Sequence, residues 1–211
     1  KENLYQKASL FRNHGEAVVE SFNIQDITNT AGLNLRMTEI EAAIALEQFK
    51  KLQDLTSIRR ALANRLTENL ESIEGIYAPK TLPNNKHVYY MYGMQYIEEE
   101  IGLPRGLFVK AMEAEGLSVR DGYLKPTYLE PMYQKKIFLG KNGFPFSYKK
   151  RESDLNYNKG VCPVTEHNQN KTMLLTAIMQ PPQELSDMDL WVEGVKKILK
   201  NKDKLIKIES S

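Results

Sequence analysis

The chain has 211 residues, 41% hydrophobic and 27% charged, with a formal net charge of +2. That is enough chain to bury a sizeable core in one or two domains, and a charge too balanced to point to a polyanionic partner. Its one cysteine, Cys162, excludes an internal disulfide, and no apolar run reaches the length of a signal segment or membrane span, so the expected setting is the cytoplasm.

The chain begins at Lys1-Glu2-Asn3 without a Met, already inside an amphipathic pattern, and the expectation is a piece of a longer protein. In that first helix Leu4, Ala8 and Phe11 fall on one face, and Gly15 stands where a left-handed C-terminal residue belongs. Residues 17 to 31 read as an irregular connection with room for one short strand.

Gly32-Leu33-Asn34-Leu35-Arg36-Met37 then leads into Thr38 and, three residues on, Glu41, which is the signature of a capping box. The helix is therefore expected to start near Glu39. A helix N-terminus carries unpaired N–H groups and the positive end of a dipole, so Asn34 and Arg36 lie where a phosphate or carboxylate could be held. Helix 39 to 50 is apolar nearly all round up to Leu46, which suggests burial on several sides or at a subunit interface. A second helix is expected from Leu55 through Ile58, Leu62, Leu66, Leu70 and Ile73, ended by Gly75.

From His87 to Ile97 the residues Val88, Tyr90, Tyr92, Met94 and Tyr96 alternate on one face, a strand pattern rich in aromatic residues. Pro104 opens a helix with Leu107, Phe108, Ala111, Met112 and Ala114 on its apolar face, Gly116 closes it, and a strand over Leu117 to Arg120 follows. A further strand over Met173 to Met179 and a last helix from about Ser186 to Lys200 complete an α+β layer. Residues 134 to 159 interleave Lys135, Lys136, Lys141, Lys149, Lys150 and Arg151 with Phe138, Phe144, Phe146 and Tyr148. Glu152 and Asp154 follow at once, which argues against a nucleic-acid groove and for a solvated loop near a substrate mouth, with Gly140, Gly143 and Pro145 as turn formers. His14, His87 and His167 are far apart and none sits at zinc-site spacing, so no metal is expected, and there is no nucleophile elbow or phosphate-cradling glycine loop.

Taken in order, six short motifs resemble those of the pyridoxal-phosphate-dependent sugar aminotransferases often called the DegT family. They are Asn13-His14-Gly15, the Gly-x-Asn-x-Arg-Met-Thr-Glu run from Gly32 to Glu39, Arg59-Arg60-Ala61-Leu62-Ala63, His87-Val88-Tyr89, Gly116-Leu117 through Tyr123-Leu124-Lys125-Pro126, and Pro163-Val164-Thr165-Glu166. The likeness runs from about residue 8 to residue 198. It implies an α+β fold, the C-terminal small domain of a fold-type-I aminotransferase, in which a small antiparallel sheet is packed with helices and preceded by long linking helices. Residues 1–50 would be the end of the large domain with an interface loop and helix, and 51–211 the small domain.

The same resemblance implies transfer of an amino group from Glu or Gln to a keto sugar or cyclitol, with the Schiff-base lysine outside this chain and no catalytic residue within it. Lys7 and Lys125 are not assigned that role, since a carbonyl-condensing lysine needs a desolvated pocket. In the implied homodimer Asn34 holds the cofactor phosphate across the interface with Arg36 beside it as a cofactor-binding residue, its forked charge suited to that phosphate, a substrate carboxylate or a nucleotide diphosphate, and His14, Arg120 and Tyr123 are the candidate substrate contacts. The family's Leu-Pro pair after the last strand is replaced here by Thr176-Ala177-Ile178-Met179-Gln180 running on to Pro181-Pro182, which leaves the acceptor open. Two rival readings stand beside this one: a deoxysugar dehydratase of the same family, and a dimerisation or interaction module without chemistry.

Overall fold

The computed structural model describes residues 2–15, 31–140, 143–147 and 155–209. The connection expected over 17 to 31 lies outside these residues apart from Ala31, as do parts of the basic and aromatic loop. The chain divides into two compact units, Lys1–Gln53 and Asp54–Ser211.

In the first unit, helix α1 spans Glu2–Arg12. The face expected to be buried is open: Leu4 is 74% and Phe11 47% exposed, and the buried residues are instead Ser9, Leu10 and Asn13. The segment at 33–35 returns to the C-terminal end of α1, bonding to Phe11, Arg12 and His14 and bridging Asn13 with Asn34. Gly15 ends the helix as expected, with φ 76° and its N–H bonded 2.8 Å to Leu10 O.

Helix α2 runs Glu39–Leu70 as one element of 32 residues. The periodicity predicts two helices, but Lys50-Lys51-Leu52-Gln53-Asp54 holds neither Gly nor Pro, so nothing interrupts the backbone ladder. What changes along α2 is burial. Its buried residues are Leu62, Ala63, Leu66 and Leu70, whereas Ile40, Ile44, Leu46 and Phe49 are exposed in this chain. The start at Glu39 is the expected one, set by the reciprocal Thr38 and Glu41 bonds.

The second unit is built on a four-stranded antiparallel sheet of order β1-β2-β4-β3. Its strands are β1 (Ile76–Tyr77), β2 (Tyr92–Tyr96), β3 (Arg120–Asp121) and β4 (Met173–Thr176). Short helices α3 (Glu98–Ile101), α5 (Pro131–Gln134) and α6 (Pro163–His167) link these strands, together with the longer α4 (Arg105–Ala114), and α7 (Leu185–Lys200) and α8 (Lys202–Glu209) follow the last. This is a small antiparallel sheet with packed helices, the α+β class the sequence indicates. Helix α7 buries Met188, Trp191, Val192, Val195 and Ile198, one stripe at spacings of three and four, and a capping box between Glu184 and Asp187 opens it. Helix α8 is an addition to the expected elements; its Leu205 and Ile206 pack against the core from an otherwise charged segment.

Strand β2 is shorter than the alternation suggests. Tyr92, Met94 and Tyr96 are all buried, but Tyr90 and Val88 are exposed and Tyr89 is buried in their place. The phase slips because Tyr89 has φ 48°, a left-handed turn that ends the pleat, with its N–H bonded 2.8 Å to His87 Nδ1. Tyr92 puts its hydroxyl 2.7 Å from Thr67 Oγ1, and burial pushes its pKa up to about 12. The expected strand at Leu117 to Arg120 is reduced to Arg120 and Asp121, and that at Met173 to Met179 stops at Thr176.

Candidate functional site

The first unit brings His14, Asn34 and Arg36 together by backbone bonding. Leu33 N–H donates to Phe11 O (2.7 Å), Leu35 N–H to Arg12 O (3.0 Å) and His14 N–H to Leu33 O (3.1 Å), so Asn13 and Asn34 face one another as an antiparallel bridge. Gly32 makes this approach possible: a Cβ there would lie 2.3 Å from Gly15 N and 2.5 Å from His14 C. Asn13 is buried and its Nδ2 donates 3.1 Å to Ser9 O, which anchors the pair from beneath. The Asn-His-Gly and Gly-x-Asn-x-Arg motifs are thus two halves of one local structure.

Beyond the bridge, Asn34 Oδ1 accepts from Arg36 Nε at 3.2 Å and from Arg36 N–H at 3.4 Å. This fixes both side chains relative to each other and uses the only acceptor of the pair. Asn34 Nδ2 and the two terminal guanidinium nitrogens remain, all donors, exposed and without a protein partner among the described residues. A donor set of this kind fits an anionic oxygen cluster such as a phosphate.

The helix N-terminus contributes less than its position suggests. Thr38 N–H donates to Glu41 Oε2 at 2.8 Å, and Glu41 N–H to Thr38 Oγ1 at 3.3 Å, so two of the amides there serve the cap itself. Those bonds from Thr38 also hold the Glu41 carboxyl below its ordinary pKa, and Glu39 and Glu41 already complement the positive end of the helix. The donors left open at this loop are therefore those of Asn34 and Arg36.

In the second unit the Arg120 guanidinium lies over the Tyr123 ring, 5.6 Å from its centre. A residue that sequence reasoning missed holds the Tyr123 half of this pair. Gln169 accepts from Tyr123 N–H at 2.9 Å and returns a longer bond to Tyr123 O at 3.5 Å. Gly122, with φ 66°, lies so close that a Cβ would be 2.4 Å from Gln169 Nε2. Arg105, only 8% exposed, binds the same segment from the other side through Gln169 O (3.3 Å), Asn170 O (2.7 Å) and Met173 O (3.0 Å). No local pattern announces Gln169 or Arg105, because their partners are tens of residues away.

Glu166, from the Pro-Val-x-Glu motif, accepts from the Tyr128 hydroxyl and from Gly160 N–H at 2.6 Å. The Tyr128 bond is the main reason its carboxyl is held below the ordinary range, while burial pushes Tyr128 up to about 12. Gln134 ties Tyr128 O (2.7 Å) to Tyr157 O (2.6 Å), and Phe146, 9% exposed, packs edge-on against both Tyr133 and Tyr157, whose rings also meet. The loop expected to be solvated has a small aromatic core among its described residues. Lys7 and Lys125 are exposed, and neither has the desolvated surroundings that a carbonyl-condensing lysine needs. The described residues contain no cluster of three or more metal-ligating side chains, and no helix long and apolar enough to cross a membrane.

Comparison with known proteins gives this geometry its context. The model of the DegT/DnrJ/EryC1/StrS aminotransferase family matches residues 1–175. The spore coat polysaccharide biosynthesis protein SpsC of Bacillus subtilis (strain 168) is 26% identical over 172 residues, 82% of this chain and 39% of that protein. The dTDP-4-dehydro-2,6-dideoxy-D-glucose 3-dehydratase of Saccharopolyspora spinosa is 29% identical over 89 residues, 42% of this chain and 19% of that protein. The solved structure of the aminotransferase from Psychrobacter cryohalolentis shares the fold, with a TM-score of 0.68 at 18% identity over 96% of this chain and 50% of that one. The chain thus spans well under half the length of the curated relatives it matches.

Proposed function

Because the chain belongs to the DegT/DnrJ/EryC1/StrS aminotransferase family, we propose that it supplies the interface loop and C-terminal small domain of an enzyme that moves an amino group from Glu or Gln to a keto sugar or cyclitol. The observation that carries this reading is the outward-facing donor set of Asn34 and Arg36, locked by the Arg36 to Asn34 Oδ1 bonds and seated on the Asn13 to Asn34 bridge. When bound, pyridoxal phosphate supplies the electron-withdrawing ring that makes amino-group exchange possible. The lysine that carries the cofactor lies outside these residues, in a cytoplasmic homodimer. Asn34 Nδ2 and the Arg36 guanidinium would hold its phosphate in the neighbouring subunit and neutralise its charge. His14 stands beside the same bridge and contacts substrate. Arg120 and Tyr123, the latter bonded to Gln169, present a cation over an aromatic face to the substrate.

The test is cofactor retention by the intact enzyme after dialysis. Asn34→Ala and Arg36→Ala should each weaken retention about tenfold or more, the scale of a lost charge-assisted hydrogen bond; retention equal to that of the unchanged enzyme would sink the assignment. A second reading, dehydration of a deoxysugar, is favoured by the similarity to the Saccharopolyspora spinosa dehydratase. The two part on one assay: formation of 2-oxoglutarate from glutamate in step with amino-sugar product supports transfer, whereas loss of water from the sugar without consumption of glutamate supports dehydration.

A further inference from the structure

We propose that a second anion site, for a phosphate-bearing ligand, lies in the second unit between the middle of α2 and the 81–89 loop, with Arg60 and His87 as its principal donors. The cavity there holds about 380 Å³ and is lined by Arg60, Asn64, Asn84, Asn85, His87 and Tyr89 together with Thr81, Leu82 and Pro83. No carboxylate lines it, so the charge of Arg60 is not offset within its walls. Arg60 is half-buried and has neither an ion pair nor a hydrogen bond among the described residues. An arginine held partly out of water without a partner is costly unless something anionic arrives.

His87 is fixed for the same purpose. Its Nδ1 accepts the Tyr89 N–H at 2.8 Å, which leaves Nε2 as the N–H donor of the neutral ring, and the ring packs 4.2 Å from that of Tyr89. Two of the wall residues hold uncommon backbone conformations, Asn84 at φ 64° and the buried Tyr89 at φ 48°. A bulky aromatic residue in the left-handed region is strained, and strain of this kind concentrates where a loop must present groups to a ligand. The guanidinium fork, the imidazole N–H and the Asn amides make a set rich in donors, and a tetrahedral oxyanion with several acceptor oxygens satisfies such a set.

The inference goes beyond the aminotransferase reading and stands or falls apart from it. Inorganic phosphate and, separately, uridine 5′-diphosphate are titrated into the full chain with pyridoxal phosphate present, while the His87 ring resonances are followed by NMR. His87→Gln assigns them among the three histidines. A saturable shift of the His87 signals that Arg60→Ala weakens about tenfold or more, and that Arg36→Ala leaves unchanged, supports the site. Arg60→Lys, which keeps the charge and loses the fork, should fall between. Saturation by phosphate alone identifies a free phosphate as the ligand, and tighter binding of the diphosphate identifies a nucleotide. No saturable shift, a shift indifferent to Arg60→Ala, or a shift abolished by Arg36→Ala overturns it.

Discussion

In the first unit the candidate cofactor loop is held almost wholly by main chain. The bonds joining 33–35 to 11–14 and the close approach of Gly32 to Gly15 set its position, and the buried side chains beside it are small in number: Ser9, Leu10 and Asn13 among the described residues. The second unit is held by side chains. Tyr92, Tyr96, Phe108, Leu66, Met112 and Trp191 interlock in one apolar core, and polar groups such as Arg105 and Gln169 brace its loops. Apolar burial stabilises in proportion to area, whereas backbone bonds at a surface exchange readily with water. The first unit is therefore built to present exposed donors, and the second to keep a shape.

The largest effect that tests this contrast is Phe108→Ala. Phe108 is fully buried against Tyr96, with ring centres 4.9 Å apart, so its loss should destabilise the second unit by about 3–5 kcal/mol in denaturant unfolding. Amide exchange at Leu33 and Leu35 should remain as it was. Global loss of protection at those amides would show that the contrast between the units is false.

Gly32→Ala probes the other side. The added Cβ meets Gly15 N and His14 C, backbone atoms that cannot step aside cheaply, and about 1–3 kcal/mol of local stability should be lost. Exchange at Leu33 and Leu35 should accelerate, with the Tyr96 amide unchanged. If the variant keeps native protection at 33 and 35, the bridge is not what holds the loop.

Acid should act through the same division on a smaller scale. Asp189 is held below its ordinary pKa first by its bond with Arg65, then by Asn69, and Glu166 chiefly by Tyr128. Depressed carboxyls contribute stability that is fully present above the ordinary carboxylate range and is lost as pH falls through it toward their lowered values. Stability measured against pH should therefore decline there, and Asp189→Asn should flatten the decline. An unchanged slope would mean that the Arg65 and Asn69 bonds, 2.7 and 2.6 Å to Asp189 Oδ1, do not persist in solution.

The smallest effect on the folded chain belongs to the apolar residues exposed along the first half of α2. Phe49 is 72% exposed, so Phe49→Ser should change unfolding stability by no more than about 0.5 kcal/mol. If that face is the surface joining two copies, the same substitution should lower self-association in sedimentation. Equal self-association with and without it would remove α2 from the proposed interface.

By itself the amino-acid sequence determined the local features of this protein. The Thr38 and Glu41 cap, the Gly15 terminus, the buried stripe of α7 and the Tyr92, Met94, Tyr96 face of β2 all depend on residues within a few positions of each other, where side-chain type and backbone angle are directly coupled. The order of the six motifs points to the family as well, and the family match agrees. Where local cues fail, something distant decides the outcome. Periodicity does not show that α2 continues through residue 53, because a change in burial resembles a break when only hydropathy is read. Nor does it show that Tyr89 turns inward while Tyr90 turns out. The braces at Gln169 and Arg105 join positions 46 and 68 residues apart. Such a bond leaves no trace in the neighbouring sequence, since its geometry exists only once the sheet has brought the two segments together.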